Sequence, residues 1–176
     1  MLTLYPNPAF SKSLCRIAIY GAKIGYEGPA QAIRRPNLVS AREALLVIDR
    51  DLEVNLRKAR VAEVQHWGPQ FIVSPLGLVP KPSGGYRRIH HLSTPLRRSV
   101  NDQIPCHYGH LRYALFEEAL DHVRTVGKGA ILVKRDLAEA FRHIPIHPSD
   151  WWLLGFQWHG RPFQERFLPF VLRTAP

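Results

Sequence analysis

"FIVSPLGLVPKPSGGYRRIHHLS", residues 71–93, decides how this chain is read. The apolar run through Val79 reads as extended, interrupted at Pro75 and Gly77. "KPSGG" then supplies a turn: proline presets one dihedral, and Gly84-Gly85 permit positive φ. "GYRRIHHLS" (85–93) is the returning strand of a β-hairpin. Successive strand residues point to opposite faces, so Arg87 sides with Ile89 and His91, and Arg88 with Tyr86 and His90. Lys81 precedes the turn and Arg87 follows it. Cations on the two arms can converge on one phosphate group, with arginine as a bidentate fork and lysine as a point charge. Two solvated cations beside a turn would satisfy the same pattern.

The rest of the chain sets limits on that hairpin. It has 176 residues, 45% of them hydrophobic, which is enough for a core and excludes global disorder. No apolar run approaches the ~18 residues of a membrane span. "LCRIAIYGAKIGY" (14–26) is short, contains Arg16 and lacks a small-residue cleavage site, so it is not read as a signal peptide. Cys15 and Cys106 are too few and too distant for a disulfide framework. A reducing, intracellular setting (cytoplasm or nucleus, not secreted) is therefore expected. The formal charge of +10 gathers in two blocks, net +4 over residues 1–36 and net +5 over residues 81–112, while residues 67–80 carry no charge. A polyanionic partner is the natural expectation, and a basic soluble surface is the alternative.

Residues 1–36, with four prolines and no sustained period, read as an irregular arm. A helix is expected from Ser40, with Ser40 and Glu43 as a capping box and Leu45, Ile48, Leu52, Leu56 and Ala59 as its apolar stripe. "LRYALFEEALDHVRTVG" (111–127) reads as a helix closed by Gly127. "AILVKRD" (130–136) reads as a buried strand. "LLGFQW" and "PFQERFL" flank an "HGR" turn as a second hairpin. Helices and strands interleave in an α+β pattern.

"ILVKRDLAEAFRHIPI" (131–146) places Asp136 at the end of an apolar run. Asp136 and Glu139 fit a capping box, and an N-cap aspartate stabilises a helix by ~1 kcal/mol. The alternative is a carboxylate held rigidly at a strand end, where it could bind a metal. Local pattern alone favours the cap.

Taken together, these stretches resemble retrotransposon reverse transcriptases of the DIRS and gypsy types. "SPLGLVPKPSGGYRRIHHLS" is similar to their fingers hairpin and "SVNDQIP" to the segment after it. "KRDLAEAFRHIPIHPSDWWLLGFQWHGRPFQERFLPFVLRTAP" resembles the first palm motif running to an "LPFGLRSAP"-type motif. Several motifs in the right order are more specific than any one alone. The resemblance covers roughly residues 70–176. It implies an α+β right-hand polymerase fingers and partial palm over 67–176, with 1–66 as an unassigned N-terminal arm and helix.

Carried over by position, Asp136 is the metal-binding palm aspartate, and Leu137 offers its backbone carbonyl to a metal. Lys81 and Arg87 hold the incoming triphosphate. Phe141 is the aromatic gate under the sugar, and Phe170 packs near the nucleotide. The implied cofactor is Mg²⁺ or Mn²⁺, and the implied partners are an RNA or DNA template-primer and a deoxynucleoside triphosphate. No membrane is implied. Two-metal phosphoryl transfer needs hard oxygen ligands, which fits a carboxylate there.

Three departures stand out. Val171 replaces the usual glycine, His91 stands where the family has an acid, and no Tyr-x-Asp-Asp occurs before Pro176. Asp150 and Glu165 read as isolated acids. The expectation is thus a piece of a polymerase that does not extend a primer alone, truncated before the second catalytic motif, with apolar surface around Leu153–Leu168 left open for association. The alternative is a non-catalytic nucleic-acid-binding module. Cys106, His107 and His110 fit no standard four-ligand zinc spacing, and Trp151, Trp152 and Trp158 read as packing residues.

Overall fold

A computed structural model describes residues 7–109 and 113–175. The chain begins with a helix, α1 (Pro8–Tyr20), where the proline-rich composition suggested an irregular arm. The Asn7 side chain accepts a hydrogen bond from the Phe10 amide, and Pro8 occupies the first turn, where its missing N–H costs nothing. Gly21 ends the helix at φ +86°, with its backbone against that of Ile146 and His147.

The predicted helix from Ser40 forms in two pieces, α2 (Val39–Glu43) and α3 (Leu45–Arg57), divided at Ala44. The capping box does not form. Ser40 lies inside α2, and its hydroxyl instead accepts a hydrogen bond from the Leu78 amide, pinning α2 to the hairpin. Of the apolar stripe, Ile48 and Leu52 are buried, whereas Leu45 is exposed and Ala59 lies past the helix end.

Among the described residues, seven strands form two sheets. β1 (Ile33–Arg34), β2 (Val61–Glu63), β3 (Ile72–Val73), β6 (Gly155–Trp158) and β7 (Arg161–Glu165) make a five-stranded sheet in the order β1-β3-β6-β7-β2. β1 and β6 both run parallel to β3; β7 runs antiparallel to β6 and β2. β4 (Leu76–Pro80) and β5 (Tyr86–His90) form the separate hairpin, in the register Leu78↔Arg88 and Val79↔Arg87. Pro75, lacking an N–H, marks the point where the chain leaves one sheet for the other. Both hairpin turns use the residues the sequence offers: Gly84 and Gly85 at φ +87° and +76°, His159 and Gly160 at +47° and +75°.

Two apolar clusters hold these elements. One joins Ile24, Ile72, Leu92, Ile104, Ile146, Leu153 and Leu172 among others. The other packs Ile48 and Leu52 of α3 on Leu76, Leu78, Phe156, Trp158 and Phe163. Leu153, Leu154, Phe156, Phe163 and Leu168 are therefore core residues, and the expectation of open apolar surface at Leu153–Leu168 is corrected: β3 and β2 flank this hairpin on both sides. Trp151 and Trp158 donate to the Ile146 carbonyl and the Asp49 carboxylate, as packed tryptophans should.

Two further expectations fail. Residues 130–136 are not a strand, and Ile131, Leu132 and Val133 are exposed, because no strand among the described residues lies beside them. An apolar run becomes a strand only when neighbours satisfy its backbone. Asp136 caps no helix: Glu139 adopts a left-handed conformation (φ +53°) and a short 3₁₀ turn follows over Ala140–His143. The helix near 111–127 is α4 (Phe116–Val126), closed by Gly127 as expected; it starts later than the sequence suggested, since Tyr113–Leu115 are not helical, and Leu111 lies outside the described residues. α4 buries none of its side chains. Among the described residues no helix is long and apolar enough to cross a membrane.

Candidate functional site

Strand alternation divides the two arginines of β5 as its pattern predicts. Arg88 turns inward, with its side chain 3% exposed, while Arg87 stays in solvent. The Arg87 guanidinium sits 4.7 Å above the centre of the Phe170 ring, and Phe170 meets Phe141 edge-on at 5.4 Å. This line of contacts crosses a cleft of about 610 Å³. Lys81, Arg87, Asp136, Leu137, Phe141 and Phe170 all line it. Six residues picked from segments spread over some ninety positions of sequence thus share one concavity.

The charges of the cleft fall into two groups. Arg88 donates from Nη1 to Glu165 (3.0 Å) and from Nε to Asp51 of α3. Arg142, next to Phe141, donates to the other Glu165 oxygen at 2.5 Å. Glu139 takes Arg60 at 2.8 Å and Lys58 at 3.1 Å. These groups neutralise one another. Lys81, Arg87 and Asp136 make no ion pair among the described residues, so they are the charges the cleft can offer a ligand.

Sequence reasoning missed the buried part of this site. Glu165, read as isolated, is fully buried and bound by two arginines. Burial alone would raise its carboxyl, but Arg142 and Arg88 outweigh that and hold it down to about 2. His90 is buried beside it, with its Nε2 3.1 Å from the Gly155 carbonyl and its ring edge-on to Phe156. Loss of solvation pushes its pKa down to about 4; the Glu165 charge opposes this, and the Arg88 and Arg142 charges add to it. A clue was available: Arg88 and His90 share the hairpin face of Leu76 and Leu78, and that face is the core side.

The sequence departures prove structurally mild. Among the described residues, positive φ at non-glycine positions occurs at Ala59, Arg97, Glu139 and His159, so Val171 sits in a backbone conformation that a β-branched residue tolerates. Its carbonyl accepts a hydrogen bond from Asn101. His91 is half-buried, with no partner at Nδ1. Asp150 is engaged as well, accepting from the Ile24 amide and pairing with Lys23.

A divalent ion with oxygen ligands would find one available carboxylate here, Asp136, plus the backbone of Leu137. Asp51, Glu139 and Glu165 are committed to cations, and no cluster of three metal-binding side chains occurs among the described residues. By themselves, these residues do not fit a two-metal centre. Cys106 is exposed and His107 stacks on Tyr108, with no metal grouping; His110 lies outside the described residues.

Solved structures resemble this fold. The native prototype foamy virus protease-reverse transcriptase matches 100% of this chain with a TM-score of 0.54 at 21% identity. The foamy viral protease-reverse transcriptase in complex with dsDNA matches 98% of it, with a TM-score of 0.53 at 19% identity. The chain has a reverse transcriptase-like fold. It spans 24% of the length of the first of these proteins and 37% of the second. A third structure, the foamy viral enzyme with an RNA/DNA hybrid, matches 94% of the chain with a TM-score of 0.50 at 16% identity. No protein-family model matches the sequence.

Proposed function

We propose that the cleft is the nucleotide-binding part of a reverse transcriptase-like site from a retroelement, of the DIRS or gypsy type that the sequence motifs resemble. The observation that carries this reading is the meeting of Lys81, Arg87, Asp136, Leu137, Phe141 and Phe170 in one cleft. Lys81 and Arg87, free of acidic partners, take the triphosphate. Phe141, half-buried and braced by Phe170, forms the floor under the sugar. Asp136 and the Leu137 carbonyl would hold part of the ligand set of one Mg²⁺ or Mn²⁺ ion, which would neutralise phosphate charge. RNA or DNA template-primer is the polymeric partner; two of the similar structures hold dsDNA or an RNA/DNA hybrid. Residues 67–176 carry the fingers and palm motifs, and Ile24, Ile33, Ile48, Leu52 and Val61 from the preceding region pack against them.

With a single available carboxylate, this chain on its own binds nucleotide without extending a primer. The test is a titration of a fluorescent deoxynucleoside triphosphate with Mg²⁺, using Lys81→Ala and Arg87→Ala. A charge-assisted hydrogen bond contributes about 1.5–3 kcal/mol, so each change should weaken binding roughly ten- to hundredfold. Unchanged affinity in both variants would refute the reading. Primer extension that depends on Asp136 would refute the claim of incompleteness.

A further inference from the structure

We propose that Glu165 is a positioning residue, the buried hub that fixes the spacing of Arg87, Phe141 and Phe170 across the cleft. The proposal rests on the nucleotide-site reading given above and adds a component to it.

Glu165 ends β7 with its side chain 0% exposed. Arg142 donates to both carboxylate oxygens, and Arg88 of β5 donates to one of them. Each arginine is the direct chain neighbour of a residue that lines the cleft: Arg88 follows Arg87, and Arg142 follows Phe141. Phe170 lies five residues beyond Glu165 on the same strand exit. A single carboxylate thereby ties together three chain segments whose tips form the Arg87–Phe170–Phe141 line. Asp51 braces Arg88 from α3.

The chemistry of the cluster argues against a purely stabilising role. Desolvating buried charges is expensive, and replacing a whole buried ion cluster with apolar side chains of similar size is often neutral or stabilising. Arg88 also leaves Nη2 buried without a partner, a cost an apolar residue would avoid. What the ion pairs provide and apolar contacts do not is direction: Arg142 forks onto both Glu165 oxygens and Arg88 bridges Glu165 and Asp51, which fixes the rotation of β5 and of the turn that carries Phe141.

Glu165→Gln, the first variant, leaves two buried cations without their counter-charge, so a triple apolar replacement that removes all three charges is the second. The latter combines Arg88→Met, Arg142→Met and Glu165→Leu, and is expected to fold. The first readout needs no ligand: nuclear Overhauser contacts between the Phe141 and Phe170 rings, present in the native protein and lost in the folded triple variant. The second is the affinity ratio for a deoxynucleoside triphosphate over its ribonucleotide. Misplacing groups by about an ångström can cost on the order of a hundredfold, so a fall of at least about tenfold in that ratio is expected. A general loss of stability would not move a ratio. Persistence of the ring contacts in the folded triple variant overturns the proposal, as does an unchanged ratio. Absence of any nucleotide binding by the native protein would refute the proposed function, and the ring contacts would then decide the role of Glu165 alone.

Discussion

Acidification should destabilise this protein through a single histidine, and the size of the effect follows from the structure. His90 is buried, and its Nε2 faces the Gly155 carbonyl, so the neutral ring donates there and leaves Nδ1 bare and without a partner. Charging the ring would put a cation into a buried site that already feels the charges of Arg88 and Arg142, with Glu165 as the opposing charge. Its pKa falls from 6.5 to about 4 on folding. A depressed histidine pKa means that the unfolded chain binds the extra proton first. The stabilisation is complete above about pH 6.5 and is lost as pH falls through that value toward 4. Each tenfold difference in proton affinity between the folded and unfolded chain corresponds to ~1.36 kcal/mol. The full contribution is then about 3 kcal/mol, of which about 2 kcal/mol should disappear between pH 7 and pH 5. Glu165 does not confuse this window. Its pKa is lowered from 4.5 to about 2, so its own contribution is lost only below about pH 4.5. The assay is urea unfolding at pH 7 and pH 5 for the native protein and for His90→Gln, which keeps a donor for the Gly155 carbonyl but cannot titrate. The variant should lose about 2 kcal/mol less than the native chain between the two pH values. Identical pH dependence in both proteins would show that the reasoning about His90 is wrong.

Other expectations are equally specific. Ile48→Ala, which empties a fully buried position of α3, should cost about 3 kcal/mol in urea unfolding, whereas a change at exposed Leu46 should cost under about 0.5 kcal/mol. Gly21→Ala should destabilise by more than about 2 kcal/mol, since its φ is +86° and a methyl group would stand 2.4 Å from the His147 amide nitrogen. Asp136→Asn, at an exposed site without ion pairs, should leave the unfolding midpoint unchanged. It should abolish the Mg²⁺-dependent part of nucleotide binding and leave nucleic-acid affinity unchanged or slightly raised, which filter binding across a salt series would reveal.

What the sequence made legible was local. Gly84-Gly85 and the His159-Gly160 turn set two hairpins with the right arms, because turn chemistry acts over four residues. That Arg87 and Arg88 face opposite sides followed from strand alternation; that Arg88 is the buried one did not. Gly127 marked a helix end for the same local reason. The failures were of two kinds. α1 opens on a sound start signal, Asn7-Pro8, which the neighbouring prolines mask as a run of helix breakers. The strand at 130–136 and the ion cluster around Glu165 depend on partners distant in sequence, and no local pattern carries that information. β1, β2 and β3, two or three residues each, exist only through their pairing. For the site, motif order picked out Lys81, Arg87, Asp136, Leu137, Phe141 and Phe170, which share one cleft, and was blind to the buried ion cluster beside them.

The central question is whether those exposed residues receive a nucleotide. The most direct measurement is a crystal structure of the protein grown with a deoxynucleoside triphosphate and Mg²⁺. Phosphate oxygens are expected within hydrogen-bond distance of Lys81 and Arg87, with the sugar against Phe141 and the ion on an Asp136 oxygen. A nucleotide bound elsewhere, with Lys81 and Arg87 untouched, would contradict the nucleotide-site reading.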